Sequence, residues 1–399
     1  MFSARANSVT PSATVELNAK VAQMIRDGMD VIKLNIGEPD FHTPDNIKCA
    51  AKAAIDQNFT KYTPVPGIPD LRAAIQKKLE QDNSLRYDAS EICVTTGAKQ
   101  ALFESILTLV DPGDEVILPT PCWVSYEDMV KIAGGKPVLV PTRSQGPNRY
   151  HLDLEAIEGA VSPRTVAVMI NTPNNPSGAV YSREELEGLI RLAVKYDFWI
   201  VSDEVYEKLI YEGLEHISAA AISQEAWERT VTINGCSKSY AMTGWRVGYA
   251  AGPAQFIKRM KGLQGHITSG ITSIAQKAAL EAISGPQESV EVMHREFDRR
   301  RQKMYQMICQ IPNVTCPMAQ GAFYLLPDVS AYFGKKWGEK VIKDSYDMAA
   351  YLLDQAMVAV VPGDSFRAAG CLRLSYSNSM ENLQEGVTRI AKALSKLKE

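Results

Sequence analysis

The sequence predicts an α/β protein: a large domain built on a mostly parallel, doubly wound sheet, followed by a small α+β domain. Three observations carry this reading. From Glu91 to Gly265, strand-like and helix-like stretches alternate, the pattern of crossover units that lay parallel strands side by side. Several of these strands, Thr165–Ile170 among them, are apolar on both faces, as strands covered by helices on each side must be. After about Pro286 the alternation stops, and a long charged stretch gives way to short, separated strands.

The elements follow in order. Pro11 to Thr14 offers a helix start and Val15–Arg26 an amphipathic helix. Val31–Ile36 reads as a strand that runs into Gly37-Glu38-Pro39-Asp40-Phe41. Pro44–Asn58 and Leu71–Asp82 read as helices, separated by Lys61–Gly67, whose prolines mark a structured loop. In the alternating region, strands are expected at Glu91–Thr96, Val116–Pro119, Pro137–Val140, Val166–Ile170, Trp199–Ser202, Val231–Asn234 and Val247–Ala250. Helices are expected between them at Lys99–Val110, Ser125–Ile132, Leu154–Ala160, Arg183–Tyr196 and Ala254–Gly265. A long helix over Glu288–Ile311 follows, then strands at Ala322–Leu326, Val358–Val361 and Leu372–Tyr376, and a last helix over Glu381–Leu397. The expected organisation is an N-terminal segment, 1–43, joining a small C-terminal domain, 286–399, with a large domain, 44–285, between them.

Composition narrows the function. The chain has 399 residues and a net charge of −3, so it carries no basic footprint for nucleic acid or an anionic membrane. Its seven cysteines are scattered and odd in number, which reads as reduced thiols in a cytoplasmic protein. The five histidines are equally dispersed, so no metal site is expected. No apolar run approaches the ~20 residues of a membrane span.

Ligands of doubly wound sheets bind beyond the carboxyl ends of strands, and four such places hold informative residues. Thr95-Thr96-Gly97-Ala98-Lys99 can leave backbone amides free at a helix N-terminus, a phosphate cradle, or be an ordinary tight turn. Trp123, after the next strand, can stack on a flat ring or sit in the core. Asn171 to Gly178 makes a turn and places Asn175 where it can donate to an oxygen. Ser202-Asp203-Glu204-Val205-Tyr206 holds adjacent carboxylates that can bind metal, cap a helix or pair with a protonated ring nitrogen; a helix starting there would put Tyr206 on the same side as Asp203.

The fifth place is the longest pattern. Gly235-Cys-Ser-Lys-Ser-Tyr-Ala-Met-Thr-Gly-Trp-Arg-Val-Gly248 sets Lys238 just past an apolar run, among small residues, with Arg246 eight residues on. An amine at a sheet edge with a fixed cation nearby suits a Schiff-base cofactor that carries a phosphate.

This stretch resembles the lysine-attachment motif of the class I aminotransferases. The chain is similar end to end to the fold type I, class I pyridoxal-phosphate enzymes, and shares the Gly37–Phe41 loop with the bacterial aspartate and prephenate aminotransferase subgroup. The resemblance implies pyridoxal 5'-phosphate held as a Schiff base on Lys238, with Asp203 on the ring nitrogen and Trp123 stacked on the ring. Asn175 and Tyr206 would bond the ring oxygen. Gly97, Ala98, Lys99, Ser237 and Arg246 would hold the phosphate, joined by Tyr62 of a partner subunit in a homodimer with shared sites. Arg373, Gly37, Asn175 and Trp123 would bind the substrate, an amino acid or 2-oxo acid, and cis peptide bonds would precede Pro121 and Pro176. Aspartate as donor and 2-oxoglutarate as acceptor are expected. Aromatic, prephenate or alanine-type transamination is the alternative, and a pyridoxal-phosphate lyase a more distant one.

Two departures stand out. Gly235 replaces a serine found in many relatives, with Ser237 available to compensate. Leu107 falls where some aspartate-specific relatives carry a lysine, and no arginine lies between Gly262 and Gln276. Only Thr10, Ser12, Thr14 and the Trp123 indole are then left to meet a side-chain carboxylate, so a broad enzyme is expected.

Overall fold

The structure, a computed structural model, describes residues 2–7, 13–143 and 150–398, with the backbone alone at 4, 13–16 and 18. The chain opens with α1 (Ala4–Asn7), α2 (Ala13–Arg26) and the short β1 (Ile32–Lys33), then α3 (Asp45–Asp56) and α4 (Pro69–Asn83). The alternating region supplies β2 (Ile92–Thr96), α5 (Ala98–Leu109), β3 (Glu115–Thr120), α6 (Ser125–Ala133), β4 (Lys136–Pro141) and α7 (Leu154–Ala160). It continues through β5 (Thr165–Asn171), α8 (Arg183–Tyr196), β6 (Trp199–Asp203), α9 (Gln224–Arg229), β7 (Thr230–Gly235), α10 (Cys236–Ser239), β8 (Val247–Ala251) and α11 (Ala254–Ile267). The last part holds α12 (Ser273–Ser284), α13 (Glu288–Ile308), β9 (Tyr324–Leu325), β10 (Lys336–Trp337), β11 (Lys340–Val341), α14 (Ser345–Ala356), β12 (Val358–Ala359), β13 (Val361–Pro362), β14 (Leu372–Ser375) and α15 (Met380–Leu394).

The central sheet runs β2–β8–β7–β6–β5–β3–β4. β8 is antiparallel to both neighbours, and the other pairings are parallel. Alternate residues of the buried strands serve opposite layers. Val116, Leu118, Met169 and Val201 pack with α5, α6 and α11, while Ile117, Val168, Ile170 and Ile200 pack with α7 and α8. This explains why these strands read as unbroken apolar runs.

A second, three-stranded antiparallel sheet, β13–β14–β9, stands apart from the first. β1 pairs in parallel with β12, and Ile32 and Leu34 share a core with Phe297, Leu352, Leu374 and Ile390. The expected strand Val31–Ile36 is thus only Ile32–Lys33. The expected strand Val358–Val361 is two, because the chain leaves β1 after Ala359 and pairs with β14 from Val361.

Five helices, α1, α9, α10, α12 and α14, lie where the sequence offered no clear element. The buried face of α12 is alanine at 275, 278, 279 and 282, small side chains that give a weak periodic signal but let α12 approach α3 and α4 closely. α14 buries Met348, Tyr351, Leu352 and Leu353 on successive turns and nearly all round, which erases the polar face that marks an amphipathic helix.

One close approach fixes the sheet to the helix that matters most for the site. A Cβ on Gly248 of β8 would lie 2.2 Å from the backbone nitrogen of Ala98, the first residue of α5. Neither is a flexible side chain, so Gly248→Ala must push the two elements apart. The expected outcome is a loss of about 1–3 kcal/mol, read as a lower urea midpoint. Gly262→Ala in α11, where an added Cβ meets nothing within 4 Å, should instead be neutral or stabilising by up to about 1 kcal/mol.

Candidate active site

The carboxyl ends of the parallel strands open into a cavity of about 730 Å³. β2 delivers Ala98 and Lys99, β3 delivers Trp123 and Tyr126, β5 delivers Asn171 and Asn175, and β6 delivers Asp203 and Tyr206. β7 delivers Ser237 and Lys238 through the short α10. Because β8 runs antiparallel, its starting end carries Arg246 to the same edge. Gly37, Glu38, Tyr324 and Arg373 complete the wall from the second sheet and the segment after β1. Thirteen of the sequence-expected residues were Lys238, Asp203, Tyr206, Gly97, Ala98, Lys99, Trp123, Asn175, Ser237, Arg246, Tyr62, Gly37 and Arg373. The structure brings all of them to this cavity or its edge except Tyr62.

Lys238 Nζ donates to the Gly37 carbonyl at 2.6 Å and lies 6.0 Å from the Tyr206 ring centre and 5.8 Å from that of Phe323. Lys238 is half-buried, its open side facing the cavity. Burial is the main cause that lowers its pKa to about 8, with Arg373 and Arg246 adding to it and Glu38 and Asp203 opposing it. An amine in that range is neutral in a useful fraction near physiological pH.

Asp203 is buried, and its Oδ2 accepts from the Tyr126 hydroxyl at 2.6 Å. Burial pushes its pKa up to about 6, restrained by the hydrogen bonds from Tyr126 and the Val205 amide. Asp203 to Tyr206 is a turn and not the start of a helix, which corrects the expected spacing argument. Tyr206 reaches the cavity because that turn folds back, and its hydroxyl meets the Tyr324 hydroxyl at 2.9 Å.

Arg373 is also buried. Its Nη1 donates to Asn175 Oδ1 at 3.1 Å and its Nη2 to the Asn35 carbonyl at 3.0 Å. Its guanidinium sits 4.4 Å from the Tyr324 ring centre and 4.9 Å from that of Phe366. Its Nε is buried with no hydrogen-bond partner among the described residues. Asn175 is itself held by its amide, which donates to Asn171 Oδ1 at 2.7 Å, and Asn171 Nδ2 donates to the Asp203 carbonyl at 2.9 Å.

At the opposite end, α5 has no side-chain cap on its N-terminus, and Arg246 faces that turn. A Cβ on Gly97, whose φ is +76°, would lie 2.3 Å from Arg246 Nη2. An uncapped helix start beside a guanidinium calls for an anion, while the buried Asp203 calls for a cation. Between them lie the Lys238 amine and the flat Trp123 indole. These donors fit pyridoxal phosphate, with its phosphate at one end and its ring nitrogen at the other.

Other expectations fall away from the cavity. Tyr62 is fully exposed and does not line it. Leu107 packs against the apolar layer of α5 and α6, while Ala98, Lys99 and Leu102 are the α5 residues in the wall. Thr10 and Ser12 lie outside the described residues, as does the side chain of Thr14. Among the described residues three peptide bonds are cis, Thr120–Pro121, Asn175–Pro176 and the unexpected Thr172–Pro173. The sequence reading missed Tyr126, Asn171, Glu38 and Tyr324. The first two stand at or one turn beyond strand ends and could have been found by the same rule. Glu38 and Tyr324 come from distant segments and carried no local signal.

Comparison with known proteins agrees with this geometry. The family model for aminotransferase class I and II matches residues 29–390. The chain is 46% identical over 386 residues to an aspartate aminotransferase of Bacillus sp. (strain YM-2), covering 97% of each. It is 45% identical over 384 residues to an aspartate/prephenate aminotransferase of Cereibacter sphaeroides, covering 96% of each. Among solved structures, the aspartate aminotransferase from Rhizobium meliloti superposes with a TM-score of 0.95 at 41% identity, covering 100% of both chains. The chain belongs to the class I and II aminotransferase family. It is a pyridoxal-phosphate-dependent transaminase, acting on amino acids and 2-oxo acids. Among the described residues no helix is long and apolar enough to cross a membrane.

The lowered pKa of Lys238 has a consequence for the cofactor-free protein. Unfolding frees the amine to bind protons with its ordinary pKa of 10.5, so between about 8 and 10.5 the unfolded state holds more protons and stability rises with pH. Below about 8 the full cost of a buried charge is present. Lys238→Met removes that cost, and the variant should be the more stable by about 1–2 kcal/mol at pH 7. The gap between the two proteins should close as pH approaches 10.5, in urea unfolding followed across pH.

Proposed function

We propose that this chain transfers the amino group of L-aspartate to 2-oxoglutarate, working in the cytoplasm as a homodimer. The observation that carries the reading is Arg373, a buried guanidinium with no ion-pair partner among the described residues, in the same cavity as Lys238. A fork of donors beside a reactive amine suits the α-carboxylate of an amino acid.

The residues divide the work. Arg373 and Asn175 bind the α-carboxylate and, with the Gly37 amide, orient the substrate so that its Cα–H faces Lys238. Pyridoxal phosphate, when bound, supplies an electron-withdrawing ring that makes that proton removable. Lys238 Nζ takes the proton from Cα and, in the second half-reaction, returns one to C2 of the acceptor 2-oxo acid. Asp203 keeps the ring nitrogen protonated, and Tyr126 keeps Asp203 in place. Asn175 and Tyr206 serve the ring oxygen, while Trp123 covers the ring face. The amides of Gly97, Ala98 and Lys99 hold the phosphate together with Ser237 and Arg246. Val21, Ala22 and Ile25 of α2 add an apolar stretch to the cavity wall.

The donor preference rests on the aspartate-directed names of the similar proteins and on the mixed wall of the cavity. That wall combines indole and apolar side chains with cations, so it accepts an acidic side chain and tolerates an aromatic one. A donor panel with 2-oxoglutarate tests this. Aspartate should give the highest kcat/KM, glutamate should follow, and phenylalanine should be measurable within a factor of ~10⁴. Undetectable aspartate turnover, or production of ammonia and a 2-oxo acid with no amino transfer, would reject the reading.

Tyr62 supports the dimer. A fully exposed tyrosine on a loop pinned by Gln276 Nε2 at Thr63 Oγ1 (2.8 Å) is presented and not floppy. We place Tyr62 at the phosphate of the partner's site. In the same reading, segment 1–43 moves with 286–399 as the small domain, and 44–285 is the large one. Mixing an inactive Tyr62 variant with an inactive Lys238 variant, then dissociating and reassembling them, should restore partial activity, because hybrid dimers contain one intact site. No recovery, or a monomer that is active in sedimentation, would refute it.

A further inference from the structure

Glu38 stands between the reactive amine and solvent. The active-site cavity has a neighbour of about 370 Å³, and Lys33, Ile36 and Glu38 line both. The smaller cavity lies beside the Gly37–Phe41 loop, and its exposed Asp30, Lys33, Asp40 and Asn382 open it to water. Its other acids are engaged, Asp40 with Arg300 and Asp30 with Arg389. Glu38 has no ion-pair partner among the described residues. The Thr243 hydroxyl donates to its Oε2 at 2.7 Å. The same loop holds the amine: Lys238 Nζ donates to the carbonyl of Gly37, the residue before Glu38, and Thr243 lies five residues beyond Lys238. These two contacts set the Glu38 carboxylate and the Lys238 ammonium along one stretch of wall. Burial is the largest influence on Lys238, and Glu38 comes next, raising the amine's pKa where Arg373 and Arg246 lower it. A carboxylate that is near an amine but not paired with it is placed to work through one bridging water.

The reaction leaves a proton on this amine. Once Lys238 Nζ has taken the hydrogen from Cα, it is an ammonium with three equivalent hydrogens. The other carboxylate in the cavity wall, Asp203, is held by Tyr126 and serves the ring nitrogen. Lys33, the other charged side chain on the shared wall, is a cation with no lone pair to accept a proton. We propose that Glu38 relays protons between the Lys238 ammonium and water in the smaller cavity. Lys238 Nζ gives one hydrogen to a bridging water, that water gives one of its own to the Glu38 carboxylate, and Glu38 passes it to water on the far side. Nζ ends as a neutral amine, the bridging water is restored, and Glu38 is again a carboxylate. The reverse sequence brings a solvent proton in. A glutamic acid lies uphill of a lysine ammonium, so the protonated form is a brief carrier and not a resting state. This rests on the role given to Lys238 above and does not depend on which amino donor the enzyme prefers.

The test follows the hydrogen and not the turnover. The cofactor-loaded enzyme is given, in ordinary water and with no acceptor, an amino donor carrying deuterium at Cα, and the label at C4′ of the aminated cofactor is read by mass spectrometry after denaturation. In the wild type most of the label should be lost to solvent. In Glu38→Gln, which keeps an acceptor for Thr243, it should rise severalfold toward about one third, the share one label holds among three ammonium hydrogens. Glu38→Ala should retain the label likewise, and added formate, but not chloride, should wash it out again in proportion to its concentration. A purely structural role for Glu38 would not be rescued by formate. In the cofactor-free protein, lysine NMR should show Lys238 titrating below its wild-type value of about 8 in Glu38→Gln, because a carboxylate that raises it is gone. A wild type already near one third, a Gln variant as low as the wild type, an unmoved Lys238 titration, or an Ala variant indifferent to formate would each overturn the relay. Label transfer by Lys238→Ala would instead reject the base itself, and the relay with it.

Discussion

Arg373 is a full positive charge held out of bulk water with no carboxylate beside it among the described residues, and segments from both halves of the chain are arranged to make that tolerable. Burying an unpaired charge costs several kcal/mol unless other groups replace its hydration. Here the replacements are the Asn175 side chain, the Asn35 carbonyl, and the faces of Tyr324 and Phe366. Each comes from a different segment: after β5, after β1, within β9, and ahead of β14. The arginine is therefore solvated only when the central sheet, the N-terminal strand and the second sheet have docked. Its Nε remains without a partner among the described residues, so the folded protein holds a donor that an incoming carboxylate completes.

The other end of the cavity solves the opposite problem, a buried carboxylate that must stay anionic. Asp203 is followed at once by Glu204, and two adjacent acids in a sheet core would repel each other. The chain sends Glu204 the other way. Its oxygens accept from Ser202 Oγ at 2.8 Å and Ser218 Oγ at 2.6 Å, and meet His216 Nε2 at 2.8 Å. Beyond it, Glu207 pairs with Lys78 and accepts from Asn83 at 2.8 Å. Glu204, Glu207 and His216 lie close enough together to hold a metal ion, but the Lys78 ammonium already supplies the positive charge that such a group needs. Glu204 still raises the pKa of Asp203, and the Tyr126 hydroxyl counters it. The result is a carboxylate that ionises near pH 6 and is ready to pair with a cation.

How much of this was legible in the sequence depended on whether a contact was local. Lys238 and Arg246 were readable together because β7, α10 and β8 are contiguous, and a hairpin-like return brings both to one edge. Ala98, Trp123, Asn175 and Asp203 were readable because buried strands announce themselves, and a parallel sheet puts their ends in one row. Tyr324 was hidden, since nothing near it signals that its hydroxyl will meet that of Tyr206, 118 positions away. Lys99 was read for its backbone, and nothing local signals that its ammonium will lie 4.7 Å from the Trp123 ring centre. The alanine face of α12 and the all-round burial of α14 failed for a different reason: periodicity reports contrast between faces, and neither helix has much.

The Gly37–Phe41 loop ties these pieces into one mechanism. On one side it touches the lysine loop: the Gly37 carbonyl accepts from Lys238 Nζ, and Glu38 Oε2 accepts from the Thr243 hydroxyl. On the other side it is fastened to the C-terminal part. Ser377 Oγ donates to the Glu38 carbonyl at 2.5 Å and accepts from the Asp40 amide at 3.0 Å, and Arg300 Nη1 donates to Asp40 Oδ1 at 2.7 Å. Arg300 is itself buried against Phe41 and Phe297. The contact with Lys238 is a single hydrogen bond from an amine that must be free to work, while the contacts with Ser377 and Arg300 are charged or buried and several in number. Ser377 follows Arg373 by four residues, so the firmest fastenings of the loop and the guanidinium sit on one stretch of chain.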